Sequence, residues 1–191
     1  MIIRTVAVLF FSYLLGSIPF SYLAGRLQGR LDLSHKGSGN LGGTNAVRVL
    51  GWGPGVLAGL ADISKGVGAA WMADSIVGAR LAPLAILAVT VGHNWSLFFG
   101  GQKGGKGIST TIGGFLYFSP VITLLSVGVA LEIVILSRLV SLGSLVLVTL
   151  IPLGLLLAKA APSSIIASLI LMAMAFWRHQ ENIRRLAVGN E

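Results

Sequence analysis

Apolar residues run along this chain in long blocks, neither confined to one helical face nor alternating. The blocks cover residues 5–24, 54–72, 81–97, 108–118, 121–136, 139–157 and 162–177. Most have the length that a helix rising about 1.5 Å per residue needs to cross a hydrocarbon core about 30 Å thick. The pattern predicts an all-α integral membrane protein, a single polytopic domain over residues 1–191 without internal repeats. The first block is expected to remain as a span. Leu23-Ala24-Gly25 is a poor cleavage site, the block is long for a signal h-region, and Arg26 and Arg30 behind it oppose export.

The block at 108–118 is short for a span, and it decides the topology. If it merges with the next block to give six spans, the Lys and Arg residues outside the second span divide seven against six between the two faces. If it crosses separately, with Ser119-Pro120 as the turn, Arg26, Arg30, Lys36, Arg48, Lys103, Lys106, Arg138, Arg178, Arg184 and Arg185 share one face, opposite Arg4, Arg80 and Lys159. Cytoplasmic loops are the ones enriched in Lys and Arg, so the ten-to-three division selects seven transmembrane helices, N-terminus outside and C-terminus cytoplasmic. Residues 26–52, 99–107 and 178–191 then form cytoplasmic active-site loops. Glycines ahead of the short helix let it begin in a thinned or protein-buried region.

Composition agrees. Hydrophobic residues make up 54% of the 191 and charged residues 10%, and the mean hydropathy is +0.87, which excludes a soluble domain. Fourteen bases stand against six acids, a net charge of +8 suited to anionic headgroups or phosphorylated substrates. Nucleic acid is not expected, because no long basic face with interleaved aromatics exists. Without cysteine there are no disulfides, thiolate metal sites or thiol nucleophiles, and the scattered acids predict no catalytic metal and no cofactor.

Three polar islands carry the candidate chemistry. Gly37-Ser38-Gly39-Asn40-Leu41-Gly42-Gly43-Thr44-Asn45, followed by Arg48, combines glycines whose N–H groups can converge on phosphate with Ser, Thr, Asn and Arg donors. Gly37, Gly39 and Gly42 match G-x-G-x-x-G, but no strand precedes them, so a dinucleotide fold is not predicted. Gly100 to Gly107 carries Lys103 and Lys106 into the helix that starts at Ile108, where free N–H groups and the positive dipole end favour an anion. This segment lacks the magnesium-binding Ser or Thr of a P-loop, since Gly107 stands there. The third island runs from Trp177 to Arg185. A continuing helix would set His179 and Asn182 on one face, pairing a group that titrates near neutrality with an amide. Asp62 and Lys65, spaced i, i+3 in the second span, neutralise one another either as a structural pair or beside substrate. His93 closes the third span at the interface, and Glu132 either pairs with Arg138 or faces headgroups.

Gly37-Ser38-Gly39-Asn40-x-Gly42-x-Thr44-Asn45 with Arg48, then Asp62-x-x-Lys65-Gly66, Gly92-His93, Lys103-Gly104-Gly105-Lys106-Gly107 and His179-x-Glu181-Asn182-x-x-Arg185 closely resemble the bacterial acyl-phosphate glycerol-3-phosphate acyltransferases, the PlsY family. Order and spacing match over essentially the whole chain; Gly43 and Ser109 stand where alanine is usual. The resemblance implies transfer of a fatty acyl group from acyl phosphate to the sn-1 hydroxyl of glycerol 3-phosphate, yielding lysophosphatidic acid and phosphate at the bacterial cytoplasmic membrane, with the bilayer and no obligate protein as partner. It implies Ser38, Arg48, Lys103 and Lys106 as ligands of glycerol 3-phosphate. Gly39, Asn40, Gly42, Thr44, Asn45, Gly104, Gly105 and Gly107 are implied to embrace acyl phosphate. His179 and Asn182 are implied to be catalytic, with Asp62, Lys65, His93 and Glu181 in support. Either His179 or the acceptor's own phosphate serves as base. The His-x-x-x-x-Asp dyad of thioester-dependent acyltransferases is absent, because Asn40, Phe98 and Arg184 follow His35, His93 and His179 at that spacing. The alternative, a transporter or channel for an organic phosphate, would need repeated halves with midplane cradles, and a CDP-alcohol phosphotransferase would need clustered aspartates.

Overall fold

The computed structural model describes residues 1–29 and 31–191, so Arg30, one of the ten bases placed on the cytoplasmic side, lies outside the described residues. In chain order the helices are α1 (Ile2–Ser17), α2 (Phe20–Leu27), α3 (Gly43–Leu50), α4 (Trp52–Val77), α5 (Ala82–Asn94), α6 (Ile108–Phe118), α7 (Pro120–Ser137), α8 (Val140–Leu157), α9 (Pro162–Arg178) and α10 (Gln180–Ala187). Among the described residues, four helical segments are long and apolar enough to cross a membrane: Ile2–Leu27, Ala82–Phe99, Pro120–Ser137 and Val140–Leu157. Two shorter apolar helices, Ile108–Phe118 and Pro162–Arg178, stand beside them.

The short block at 108–118 is a helix of its own. Ser119 leaves the helical region (φ −145°, ψ 62°), and Pro120, which has no N–H to lose, opens α7. The first apolar block differs from the single expected helix. Pro19 forces Ile18 into an extended conformation (φ −61°, ψ 114°), splitting the block into α1 and α2. The polar segments at 26–52 and 178–191 are also more regular than loops, since they contain α3 and α10.

Backbone contact between glycines sets the packing. A Cβ on Gly66 of α4 would stand 2.7 Å from the Gly114 nitrogen, and one on Gly113 of α6 would stand 3.0 Å from the Val67 nitrogen, so these two helices touch main chain to main chain. Gly16 on α1 and Gly92 on α5 do the same, with a Cβ on Gly92 falling 2.9 Å from the Ser17 nitrogen. In lipid, where burying apolar surface gives helices little reason to associate, such close approach supplies the van der Waals contact that does. Ile86, Phe115, Ile151, Leu155 and Leu171 fill the core beyond these contacts.

The break between α1 and α2 exposes carbonyls that no helix satisfies. Lys65, 2% exposed, donates to Gly16 O at 2.9 Å and Ile18 O at 2.8 Å, and the Ser96 hydroxyl donates to Ser17 O at 2.6 Å. Asp62 pairs with the same ammonium at 2.7 Å. Glu132 is exposed on α7 and, among the described residues, makes no ion pair with Arg138.

Gly113→Ala is expected to destabilise the detergent-solubilised protein by about 1–3 kcal/mol, the cost of overpacking a tight contact. Gly128→Ala on α7, where an added Cβ meets nothing within 4 Å, should cost nothing. Equal thermal unfolding midpoints for the two variants would refute the role given to the α4–α6 contact.

Candidate active site

The first polar island is a loop shaped by its own side chains, running into α3. Asn45 in the first turn of that helix is 2% exposed, and its amide is consumed locally: Oδ1 accepts from Ser38 N at 2.9 Å, and Nδ2 donates to Lys36 O at 3.0 Å and Asn40 O at 2.9 Å. Asn40 Oδ1 accepts from Gly42 N at 2.8 Å, a side-chain turn that leads into the helix. These bonds leave the Ser38 and Thr44 hydroxyls and the Arg48 guanidinium as the outward-facing donors of the segment. Just upstream, Asp32 Oδ1 accepts from the Ser34 nitrogen and hydroxyl at 2.9 and 2.7 Å. Lys103 of the second island donates to Ser34 Oγ at 3.1 Å and contacts His35 Nε2 at 3.3 Å, which ties the two loops together.

The second island lies over the end of α5. Gly105 N donates to His93 O at 2.8 Å, Gly104 O accepts from Leu41 N at 3.2 Å, and Ser96 N donates to Lys103 O at 3.1 Å. A Cβ on Gly105 would meet the His93 ring 2.6 Å from Cε1, and one on Gly104 would stand 2.5 Å from the Asn94 carbonyl carbon. Only glycine lets the loop lie this close. Gly107 is left-handed (φ +82°) and caps α6, which turns Lys106 away from the helix axis towards the third island. Beneath the loop, His93 Nδ1 stands 3.5 Å from both Asp62 Oδ1 and Lys65 Nζ. The three form one buried cluster that supports the loop from below. Asp62 and Lys65 therefore act as the floor of the site.

The third island closes it. Arg178 forks onto Gly105 O through Nε at 3.1 Å and Nη2 at 2.9 Å, and its guanidinium lies 5.5 Å above the Trp95 ring. Lys106 Nζ donates to Asn182 Oδ1, and burial lowers the lysine below its ordinary value while the Glu191 carboxylate opposes that shift. His179 separates α9 from α10 and is 3% exposed; its Nδ1 lies 2.8 Å from Ala175 O. A carbonyl only accepts, so Nδ1 carries the proton and Nε2 presents a lone pair. Burial, opposed by the bond to Ala175, pushes this imidazole from 6.5 down to about 4, so it is neutral at physiological pH.

Two adjoining cavities result, of about 340 and 740 Å³. The smaller is bordered by Gly39, Lys103, Gly104 and Glu181, the larger by Gly42, Thr44, Asn45, Arg48, His93 and His179, and both share Ser38, Asn40, Lys106, Asn182 and Arg185. The structure thus brings most of the expected site residues around one divided, largely cation-lined space. Gly105, Gly107, Asp62 and Lys65 border neither cavity and sit in the supporting layer.

A sequence model of the glycerol-3-phosphate acyltransferase family matches residues 6–189. The chain belongs to the PlsY family of glycerol-3-phosphate acyltransferases. It is 39% identical over 188 residues to the glycerol-3-phosphate acyltransferase of Syntrophomonas wolfei, covering 98% of this chain and 96% of that one. With the enzyme of Shouchella clausii it shares 40% identity over 200 residues, covering 100% and 96%. The crystal structure of PlsY, an integral membrane glycerol 3-phosphate acyltransferase, in its glycerol 3-phosphate form superposes with a TM-score of 0.93 at 37% identity, over 98% of this chain and 94% of that one. The lysophosphatidic acid form of PlsY gives 0.91 at 36%, over 98% and 93%. This PlsY-family member is accordingly a multi-pass integral membrane protein.

Sequence reasoning passed over several residues of this PlsY-family site. Arg178 was accounted for by the positive-inside rule, which is satisfied wherever its guanidinium points. Arg138, Ser141 and Glu191 also border the larger cavity, and nothing local in the sequence marks them. The Asp32-x-Ser34 turn that holds Lys103 was legible as a side-chain turn signal.

The His179 shift has a measurable consequence. Between about 4 and 6.5 the unfolded chain binds a proton that the folded chain does not. The stability from this group is therefore complete above 6.5 and lost as the pH falls towards 4, a change of about 3 kcal/mol at most. Thermal midpoints between pH 7 and 4.5 are expected to fall more steeply for the wild type than for His179→Gln; parallel curves would contradict the buried neutral imidazole.

Proposed function

We propose that this chain transfers a fatty acyl group from acyl phosphate to the sn-1 hydroxyl of glycerol 3-phosphate, giving lysophosphatidic acid and inorganic phosphate, the first acylation of phospholipid synthesis. The observation that carries the reading is the convergence of Ser38, Lys106, Asn182 and Arg185 between two adjoining cavities, with the His179 lone pair and Arg48 in the larger one. Two phosphate-bearing substrates fit such a space better than one.

In this mechanism Ser38, Arg48, Lys103 and Lys106 hold the phosphate of glycerol 3-phosphate. The loop from Gly39 to Asn45 and the backbone at Gly104 embrace the acyl phosphate, while Gly105 and Gly107 keep that loop in place. An acyl phosphate is a mixed anhydride, already activated, so orientation and charge stabilisation suffice without a covalent nucleophile. Nε2 of His179 accepts a hydrogen bond from the attacking hydroxyl and aligns it. The hydroxyl oxygen bonds to the carbonyl carbon, the bond from that carbon to the phosphate oxygen breaks, and phosphate leaves with the electron pair. An imidazole at about 4 is a weak base at neutral pH, so the hydroxyl proton passes to a phosphate oxygen and His179 serves as an orienting partner. The free N–H of Asn182 and the Lys106 ammonium stabilise the developing oxyanion. Metal independence belongs to the same reading.

Purified protein is expected to release phosphate from acyl phosphate only when glycerol 3-phosphate is present, and equally with a chelator. Arg48→Ala and Lys106→Ala should lower turnover about a hundredfold or more, whereas Arg184→Ala, exposed on α10 and outside both cavities, should leave it near wild type. Phosphate release that ignores glycerol 3-phosphate would sink the acyltransferase reading, and loss on chelation would sink its metal-free form.

The same reading places seven spans in the bacterial inner membrane, N-terminus outside and C-terminus cytoplasmic. Arg48, Lys103, Lys106, Arg138, Arg178 and Arg185 border the two cavities, which supports a single basic, cytoplasmic end. A cysteine introduced at Asn190 should resist an impermeant thiol reagent in intact cells and react after permeabilisation. Labelling from outside would reverse the orientation.

A further inference from the structure

Asn182 is asked to do two things that depend on which way its amide faces. Its Oδ1 holds the Lys106 ammonium, and its Nδ2 points the other way. Nitrogen and oxygen of a side-chain amide are nearly the same size, so shape alone does not fix the orientation; the partners do. A half-turn of the amide would set NH2 against NH3⁺, donor against donor, and release the lysine.

The partner on the Nδ2 side comes from the far end of the chain. Glu191 Oε1 accepts from Asn182 Nδ2 at 2.6 Å, and Glu191 Oε2 accepts from Arg185 Nε at 3.0 Å. An ionised carboxylate accepts and never donates, so it permits one orientation of the amide only. The side chain is 15% exposed, shielded within the larger cavity beside Ser141 at the start of α8. Burial works against its charge, but the bonds from Asn182 and Arg185 and the contact with Ser141 outweigh that effect and hold the Glu191 carboxyl below its ordinary value. It is therefore an acceptor throughout the neutral range.

We infer that Glu191 is a positioning residue: its carboxylate fixes the Asn182 amide, and through it the Lys106 ammonium, in the orientation the site requires. The proposal rests on the acyltransferase reading only in its kinetic consequences. The bonds of Glu191 go to Asn182 and Arg185 of α10, and the affinity for glycerol 3-phosphate separates an internal strut from a carboxylate standing in for the substrate phosphate.

The test uses the full-length protein in detergent and four variants: Glu191→Ala, Glu191→Gln, Asn182→Ala and the Glu191→Ala/Asn182→Ala double variant. One readout needs no substrate. Isotopic acetylation at pH 8, followed by peptide mass spectrometry, reports the reactivity of Lys106 against that of Lys159, which is exposed at the α8–α9 turn. Glu191→Ala should raise the relative reactivity of Lys106 several-fold, and Glu191→Gln, which keeps an acceptor for Nδ2, should raise it less. In the Asn182→Ala background, removing Glu191 should add only the direct electrostatic effect of its carboxylate on Lys106, less than the change it causes in the wild type. The second readout is turnover, expected to fall on the order of ten- to a hundredfold in Glu191→Ala, to recover in part in Glu191→Gln, and to fall no further in the double variant than in Asn182→Ala. Additive effects in either assay, or unchanged Lys106 reactivity in Glu191→Ala, would overturn the proposal. A lower KM for glycerol 3-phosphate in Glu191→Ala would overturn it too, because it would make the tail an occupant of the substrate site. If the wild type shows no turnover, the acyltransferase reading fails while the acetylation assay still decides the role of Glu191.

Discussion

A single buried ammonium organises this molecule. Lys65 is in the middle of α4, paired with Asp62 and donating to two carbonyls at the break between α1 and α2. A lone charge in that environment would be costly, and so would open carbonyls; each cost is offset by the other. Because His93 also leans on this cluster, the broken first helix, the end of α5 and the glycine loop above it share one support. The surface that borders the cavities thus stands on a polar floor whose every member is held by the rest.

Above that floor, position is set from both sides. Glycine brings the second loop down onto the His93 ring, and the Arg178 fork grips it from the opposite direction by a backbone carbonyl. While Arg185 pairs with Glu191, three cations of the site are held by neutral or backbone partners: Lys106 by an amide oxygen, Lys103 by a serine and Arg178 by a carbonyl. Such partners orient a cation without cancelling its charge, which stays available to an anion. A buried neutral imidazole fits the same logic, since it presents a lone pair without adding another positive charge to the cluster.

The apolar blocks were plainly legible, because a membrane demands continuous hydrophobic length and leaves little else to choose. Even the short α6 could be separated from α7, since Ser119-Pro120 marks the turn and the basic residues balance poorly without it. The division of the first block at Ile18-Pro19 was not drawn, although Pro19 signals it; a break inside lipid is tolerated only because Lys65 and Ser96 lie elsewhere in the chain to satisfy it. The helices α3 and α10, eight residues each, owe their existence to packing more than to propensity and leave a faint local trace. In the site, residue types pointed to segments that the fold brings together, but not to how each side chain is bonded there. Asn45 and Asn182 look alike in sequence, yet one amide is spent on its own loop and the other faces Lys106. Only three-dimensional partners separate those roles.

The kink at Gly16–Ile18 also bears on how the protein is made. A ribosome delivers these carbonyls first and their donors much later, Lys65 after 47 further residues from Ile18 and Ser96 after 79 from Ser17. Until those donors arrive, the Gly16 and Ser17 carbonyls at the break lack the side-chain partners that hold them in the finished protein. Its first inserted form therefore differs from its last, and the nascent chain acquires its finished entrance helix only when α4 and the turn after α5 have joined it in the membrane.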